Sequence, residues 1–156
     1  MSYALRRATS EDAPTLAEHR GRVWREVGEW DDEPVAAQIP IWTAWMHDAV
    51  ADGTYVAWIA EGGSREVIGS GAILIHVTIP RPGYASDREG RVHSVYVVPH
   101  ARRQGIGRAI VAEITDYART AMLIRLTLHP SDEARSLYVA MGFSELDELG
   151  MRLAPQ

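Results

Sequence analysis

The chain has 156 residues, 46% of them hydrophobic, which is enough apolar material for one compact core and close to the usual size of a single domain. Its 16 Lys+Arg against 21 Asp+Glu leave a net charge of −5, which argues against a generally basic nucleic-acid-binding face. The absence of cysteine excludes a disulfide framework, a thiolate metal site and a cysteine nucleophile, and the absence of lysine excludes Schiff-base chemistry.

MSYALRRATSED has no apolar h-region, and no run approaches the roughly eighteen apolar residues of a membrane span, so a soluble cytoplasmic protein is the expectation. YALRRAT reads as a short strand, and Thr9 or Ser10 followed by Glu11 and Asp12 reads as a helix start. The first helix then carries Leu16, Arg20, Val23, Trp24 and Val27. After the polar break GEWDDEP comes a second helical stretch with Trp42, Trp45, Met46 and Val50, interrupted at Pro40. TYVAWIAE, the turn GGSRE and VIGSGAILIHVTI read as two strands joined by a tight connection. IPRPGYASDREG reads as a loop and RVHSVYVV as the next strand. A helix follows with Ile106, Ile110, Ile114 and Tyr117 on one face. LIRLTLH is a buried strand, SDEARSLYVAM a helix capped by Ser131, and FSELDELGMRL a last strand.

No repeat or linker divides this pattern, and residues 1–156 read as one domain. The order β-α-α-β-β-β-α-β-α-β predicts an α/β fold. A single mixed sheet is flanked by helices, with a β-α-β crossover in its second half.

The crossover turn is RRQGIGRAIV, residues 102–111. Glycines at 105 and 107 let backbone N–H groups approach a ligand, and a helix start concentrates those groups at the positive end of its dipole. Arg102, Arg103 and Arg108 add permanently charged, fork-shaped donors suited to a diphosphate. A solvated turn with glycine ending a local structure is the plainer alternative. A dinucleotide fingerprint fails because Ile110 stands where its third glycine belongs, and a Walker loop fails for want of lysine.

Val97, Pro99, Arg102, Gly105 and Gly107 make up V-x-P-x-x-R-x-x-G-x-G, which resembles the acetyl-CoA motif of the GNAT N-acetyltransferase superfamily. LTLHPSDEARSLYVAMGF resembles that family's second motif, ending in L-Y-x-x-x-G-F at Leu137, Tyr138, Gly142 and Phe143. The order of elements is similar to the GNAT fold over nearly the whole chain.

The resemblance implies an acyl-CoA-dependent N-acetyltransferase with acetyl-CoA as co-substrate. The CoA diphosphate would lie on backbone N–H groups of Arg103, Gln104, Gly105, Ile106, Gly107 and Arg108, with Arg102 beside them. Pantetheine would pair with the fourth strand at Val95, Tyr96 and Val97, and Ser131 and Arg135 would sit near the cofactor. The commoner family residue near that strand end is Asn, which this chain lacks entirely.

Amine acylation needs a base, because an alkyl ammonium with a pKa near 10 costs roughly 4 kcal/mol to deprotonate at pH 7. Regular alternation puts His93, Val95 and Val97 on one strand face, with His93 roughly 6 to 7 Å from the backbone holding the acetyl group. His93 is therefore the candidate base or, on the plainer reading, a half-buried sheet histidine. Tyr138 stands where many family members have the tyrosine that protonates the departing thiolate; a packing aromatic is the alternative. The acidic run Glu26, Glu29, Asp31, Asp32 and Glu33 around Trp30 either attracts a cationic amine or is a solvated loop. Trp24 and Trp30 lie where an acceptor could touch them.

The six histidines include no H-E-x-x-H, and no G-x-S-x-G occurs, so no metal and no serine-hydrolase chemistry are expected. The expected acceptor is a small-molecule amine or a protein N-terminus, with no nucleic acid or membrane partner and a monomeric or homodimeric state. A non-catalytic acyl-CoA-binding or sensing module of the same fold is the competing reading.

Overall fold

YALRR forms a strand at Tyr3–Arg7 (β1), three runs richer in β-branched and aromatic residues form strands at Tyr55–Gly62 (β2), Val67–Val77 (β3) and Arg88–Val97 (β4), and a short fifth lies at Leu126–Thr127 (β5). They make one sheet in the order β1-β2-β3-β4-β5. Neighbours are antiparallel except β4 and β5, which run parallel across the crossover. The computed structural model describes residues 2–28 and 30–148.

Helices α1 (Ala13–Val27) and α2 (Asp32–Asp52) cover one face of the sheet, and α3 (Ile106–Thr120) covers the other. Helix α4 (Asp132–Ala140) follows β5. The predicted stripe on α3 is the core: Ile106, Ile110 and Ile114 are fully buried against Trp58, Ile68, Ile73 and Val92. Burial of each such isoleucine contributes about 2 kcal/mol. Tyr117 continues the stripe edge-on to Trp58, with ring centroids 5.6 Å apart. On the other face Leu16, Ala17, Met46 and Ala49 pack on Ala57, Ile59 and Ala72. With both faces covered, β2 is nearly all buried, which is why TYVAWIAE reads as a continuous rather than an alternating apolar run.

Several sequence expectations need correction. Pro40 does not interrupt α2, which runs through it for 21 residues. Pro40 and Ala36, whose carbonyl loses its N–H partner, both face solvent, so water replaces the missing bond. The tip of the predicted loop joins β4, which begins at Arg88, and β3 ends at Val77. β5 is two residues long because its ladder to β4 holds only at Gly90–Leu126 and Arg91–Thr127. Of the predicted last strand FSELDELGMRL, Phe143–Glu148 form no strand, and residues 149–153 lie outside the described residues.

The expected alternation also breaks within β4. Ser70 pairs with Tyr96 and Ala72 with His93, so Ser94 and Val95 together oppose the single residue Gly71. This is a β-bulge, and Ser94 takes the left-handed conformation, φ 53°. His93 therefore does not share a face with Val95 and Val97. Val97 pairs with Gly69 and Val95 lies over Gly71, both on the α3 side, whereas His93 pairs with Ala72 on the α1–α2 side.

Candidate functional site

The turn between β4 and α3 is built to present backbone donors. After a single 3-10 turn at Pro99–Ala101, Arg103 and Gly105 both adopt left-handed backbone, φ 64° and 82°. Gly105 is the N-cap of α3. Left-handed residues in a turn of this kind gather N–H groups into a concavity suited to anions. Among the described residues, no backbone acceptor takes the N–H groups of residues 103–108. A Cβ at Gly105 would meet no protein atom within 4 Å, so the demand for glycine comes from the positive φ and from whatever approaches outside.

The arginines divide. Arg103 and Arg108 are exposed, as is Gln104. Arg102 is already engaged: its guanidinium makes a two-pronged pair with Glu26 at 2.7 and 2.8 Å, and its Nε donates to the Val97 carbonyl at 2.9 Å. It also lies over the Tyr96 ring, 5.6 Å from the centroid. Arg102 thus ties the end of α1 to the turn, and Val97 keeps one carbonyl lone pair for another donor.

Beyond Arg91–Thr127 the ladder between β4 and β5 stops, and a cleft of about 340 Å³ opens there. His93, Val95, Tyr96 and Val97 line one wall, Ser131 and Tyr138 the other, with Arg102 and Gly107 at the end next to the turn. Tyr138 is buried edge-on against Phe143, 5.6 Å between centroids, and burial raises its phenol pKa. Its hydroxyl makes no hydrogen bond to a described residue and is not among the side-chain atoms closed off from solvent, so it is open to the cleft. Ser131 is the N-cap of α4 but makes no side-chain cap bond, which leaves its hydroxyl available to the cleft. Arg135 points away: it pairs with Glu145 at 3.1 Å and lines a separate groove with Phe143 and Leu146.

A wider cleft of about 840 Å³ joins α1 to the same strand, lined by Arg20, Trp24, Arg91, His93 and Ser94. Burial first, then the positive charges of Arg20 and Arg91, lower the His93 pKa to about 4. The imidazole is neutral at pH 7 and able to accept a proton. Trp24 lines this cleft, whereas Trp30 is 56% exposed and lies outside its walls. The acidic run does not act as a unit: Glu26 is held by Arg102, Asp32 by Arg25 at 3.0 Å, and Glu29 lies outside the described residues.

Sequence reasoning passed over Arg20 and Ser94. Arg20 Nη1 donates to Ser94 Oγ at 3.1 Å. A sequence signal existed for Arg20, a charge on the apolar stripe between Leu16 and Trp24. None existed for Ser94, whose importance comes from the bulge. Among the described residues no group of three or more His, Asp or Glu could hold a metal ion, and no helix is long and apolar enough to cross a membrane.

Residues 11–143 match the family model of the Acetyltransferase (GNAT) family. Over 76 residues the chain is 30% identical to the N-alpha-acetyltransferase RimI of Mycobacterium tuberculosis, a match that spans 49% of this chain and about half, 48%, of that protein. Its fold superposes on a GCN5-related N-acetyltransferase from Ralstonia eutropha JMP134 with a TM-score of 0.88 at 25% identity, covering 99% of this chain and 100% of that one. A predicted acetyltransferase with acetyl-CoA from Clostridium acetobutylicum superposes with a TM-score of 0.86 at 23% identity, covering 98% and 96%.

Proposed function

The chain belongs to the GNAT family of acetyltransferases, and on that premise we propose that it moves an acetyl group from acetyl-CoA directly to a primary amine. The observation that carries this reading is one cleft lined by Gly107 at the donor-rich turn, the edge of β4, the unpartnered Tyr138 and the neutral His93. The chemistry of these groups fits a thioester with a diphosphate-bearing handle. Acetyl-CoA, when bound, supplies the acyl group in activated form.

The backbone N–H groups of residues 103–108 hold the diphosphate, with Arg103 and Arg108 adding positive charge. The edge of β4 from Val95 to Val97 offers main-chain groups to the pantetheine arm, as an added strand would use them. Ser131 contributes a hydroxyl at the opposite wall. His93, on the α1 side of the bulge, takes the proton from the acceptor's ammonium, directly or through one water. Tyr138 gives its phenolic proton to the departing sulfur, which avoids release of a bare thiolate.

Direct transfer is preferred over an acyl-enzyme route. His19 Nδ1 and Ser70 Oγ form a 2.8 Å pair of the kind that activates a serine. Ser70 is only 1% exposed, however, and lines neither cleft, so that pair is structural.

The test is incubation of the purified protein with acetyl-CoA and a panel of primary amines, following thiol release and the mass of the acetylated product. Amine-dependent release is the expected result. Failure to bind acetyl-CoA overturns the reading, and binding without transfer to any amine replaces it with a non-catalytic acyl-CoA-binding module.

A further inference from the structure

Arg20 is a half-buried guanidinium with no carboxylate in salt-bridge range among the described residues. Burial weakens its hold on its proton, as it does for a cation whose charge is incompletely compensated. What surrounds it is neutral. Its carbon lies 5.4 Å from the Trp24 ring and 5.2 Å from the Trp42 ring, and one N–H goes to Ser94 Oγ. Two indoles fix the position of the guanidinium, and a single hydrogen bond to a hydroxyl uses one of its five N–H donors. The others remain for a ligand.

Its location says which ligand. Arg20 lines the 840 Å³ cleft together with His93, and Arg91 lines it from β4 with no carboxylate partner among the described residues either. Glu26, which lines the same cleft, is consumed by Arg102. Two guanidiniums without a carboxylate partner therefore flank the proposed base, while Asp132 and Glu133 at the start of α4 line the same cleft, so it carries charge of both signs. Such a cleft would attract an ammonium that brings its own anion.

We propose that the acceptor is an amino-acid-type amine, with a carboxylate one or two carbons from the nitrogen, and that Arg20, assisted by Arg91, receives that carboxylate while the amine faces His93. This rests on the acetyltransferase reading and specifies its second substrate. Close spacing follows from the chain: Ser94, which Arg20 touches at 3.1 Å, is the residue next to His93. A planar fork held by stacking suits bidentate capture of a carboxylate, which also fixes the amine's direction. Placing an anion there removes part of the positive field that keeps His93 a weak base. The same carboxylate thus binds the acceptor and raises the base's affinity for the proton it must take.

The experiment compares common L-amino acids with their amides and with the matching alkylamines that lack the carboxyl group. It measures kcat/KM by thiol release and, independently of turnover, binding by calorimetry to the protein saturated with CoA. At least one amino acid should exceed its amide and its amine by roughly ten- to a hundred-fold in kcat/KM, with the same order in affinity. Arg20→Gln should erase that preference while leaving acetyl-CoA binding intact, and Arg20→Lys should keep part of it. Because the comparison among acceptors is made first on the native protein, it decides the matter even where a variant fails to fold. Amides or alkylamines acetylated as well as the acids overturn this inference and leave the transferase standing. Acetyl-CoA bound but transferred to no amine overturns both.

Discussion

Gly105→Asp tests the donor-rich turn most directly, because its effects on folding and on binding should differ widely. A Cβ at this position meets no protein atom within 4 Å, so nothing inside the fold is displaced. The backbone stays at φ 82°, which costs a residue with a Cβ about 1 kcal/mol, and aspartate is among the residues that bear this best. An acid at the head of α3 also favours the helix dipole by a few tenths of a kcal/mol, so net stability should fall by less than about 1 kcal/mol. Binding is another matter. A carboxylate about 5 Å from one charge of a diphosphate, at an effective dielectric near 20, repels it by about 3 kcal/mol, which is over a hundred-fold in Kd. Gly105→Ala carries the backbone strain without the charge and should lose much less. Calorimetric titration with CoA at two salt concentrations provides the measurement, since an electrostatic loss shrinks as salt rises. A folded Gly105→Asp that binds CoA like the native protein refutes the reasoning, and equal losses in the two variants would mean that conformation rather than charge governs the turn.

Tyr138→Phe keeps the ring against Phe143 and removes a hydroxyl without a protein partner, so stability should change by no more than about 1 kcal/mol. Turnover should still drop by roughly ten- to a thousand-fold, less with a donor whose thiol is more acidic; full turnover would return Tyr138 to packing. For His93, burial and the two guanidiniums place the proton-binding limb of kcat/KM near pH 4 rather than near the ordinary 6.5. His93→Ala should lower kcat/KM at pH 7 and converge on the native rate as the acceptor deprotonates itself at high pH, whereas a parallel profile would make it a sheet residue. His19 also has its pKa lowered to about 4, chiefly by burial, so the unfolded chain binds more protons than the folded one between pH 4 and 6.5. The stability contributed by neutral His19 is full above pH 6.5 and is lost on acidification toward pH 4. It amounts to about 3 kcal/mol, readable as the part of the stability change in urea unfolding between pH 7.5 and pH 4 that His19→Gln removes, the similarly shifted His93 contributing a comparable part of its own.

The helices and buried strands were legible because they obey simple periods. Ile106, Ile110 and Ile114 recur at helical spacing and are all buried, and the turn before them announced itself through Gly105 and Gly107. Features set by partners distant in sequence were not legible. Arg102 meets Glu26 across 76 residues, which no local pattern reports, and so the tie it makes between α1 and the turn is invisible in the sequence. LIRLTLH reads as a seven-residue strand because its composition suits one. The ladder ends after two residues because β4 no longer runs beside it. Pro40 reads as a break because propensity counts the lost N–H bond, and burial, which decides whether the orphaned carbonyl matters, is a tertiary fact.

The consequential misreading concerns one residue. A regular β4 would turn His93 to the same side as Val95 and Val97, under α3, where Ile110 and Ile114 already fill the space over Gly71. No substrate could reach a base there. Ser94 at φ 53° inserts one extra residue opposite Gly71 and so moves His93 to the α1 side, where the wide cleft begins. The left-handed conformation costs about 1 kcal/mol for a residue other than glycine. The Arg20–Ser94 bond offsets part of this, and the Tyr55 phenol, which burial pushes up to about 12, lies beside the pair as a neutral neighbour. The strained serine is thus the hinge of the arrangement. It separates the strand edge that would hold the thioester arm from the face that presents the proposed base, and its side chain positions the guanidinium that would receive the acceptor's carboxylate.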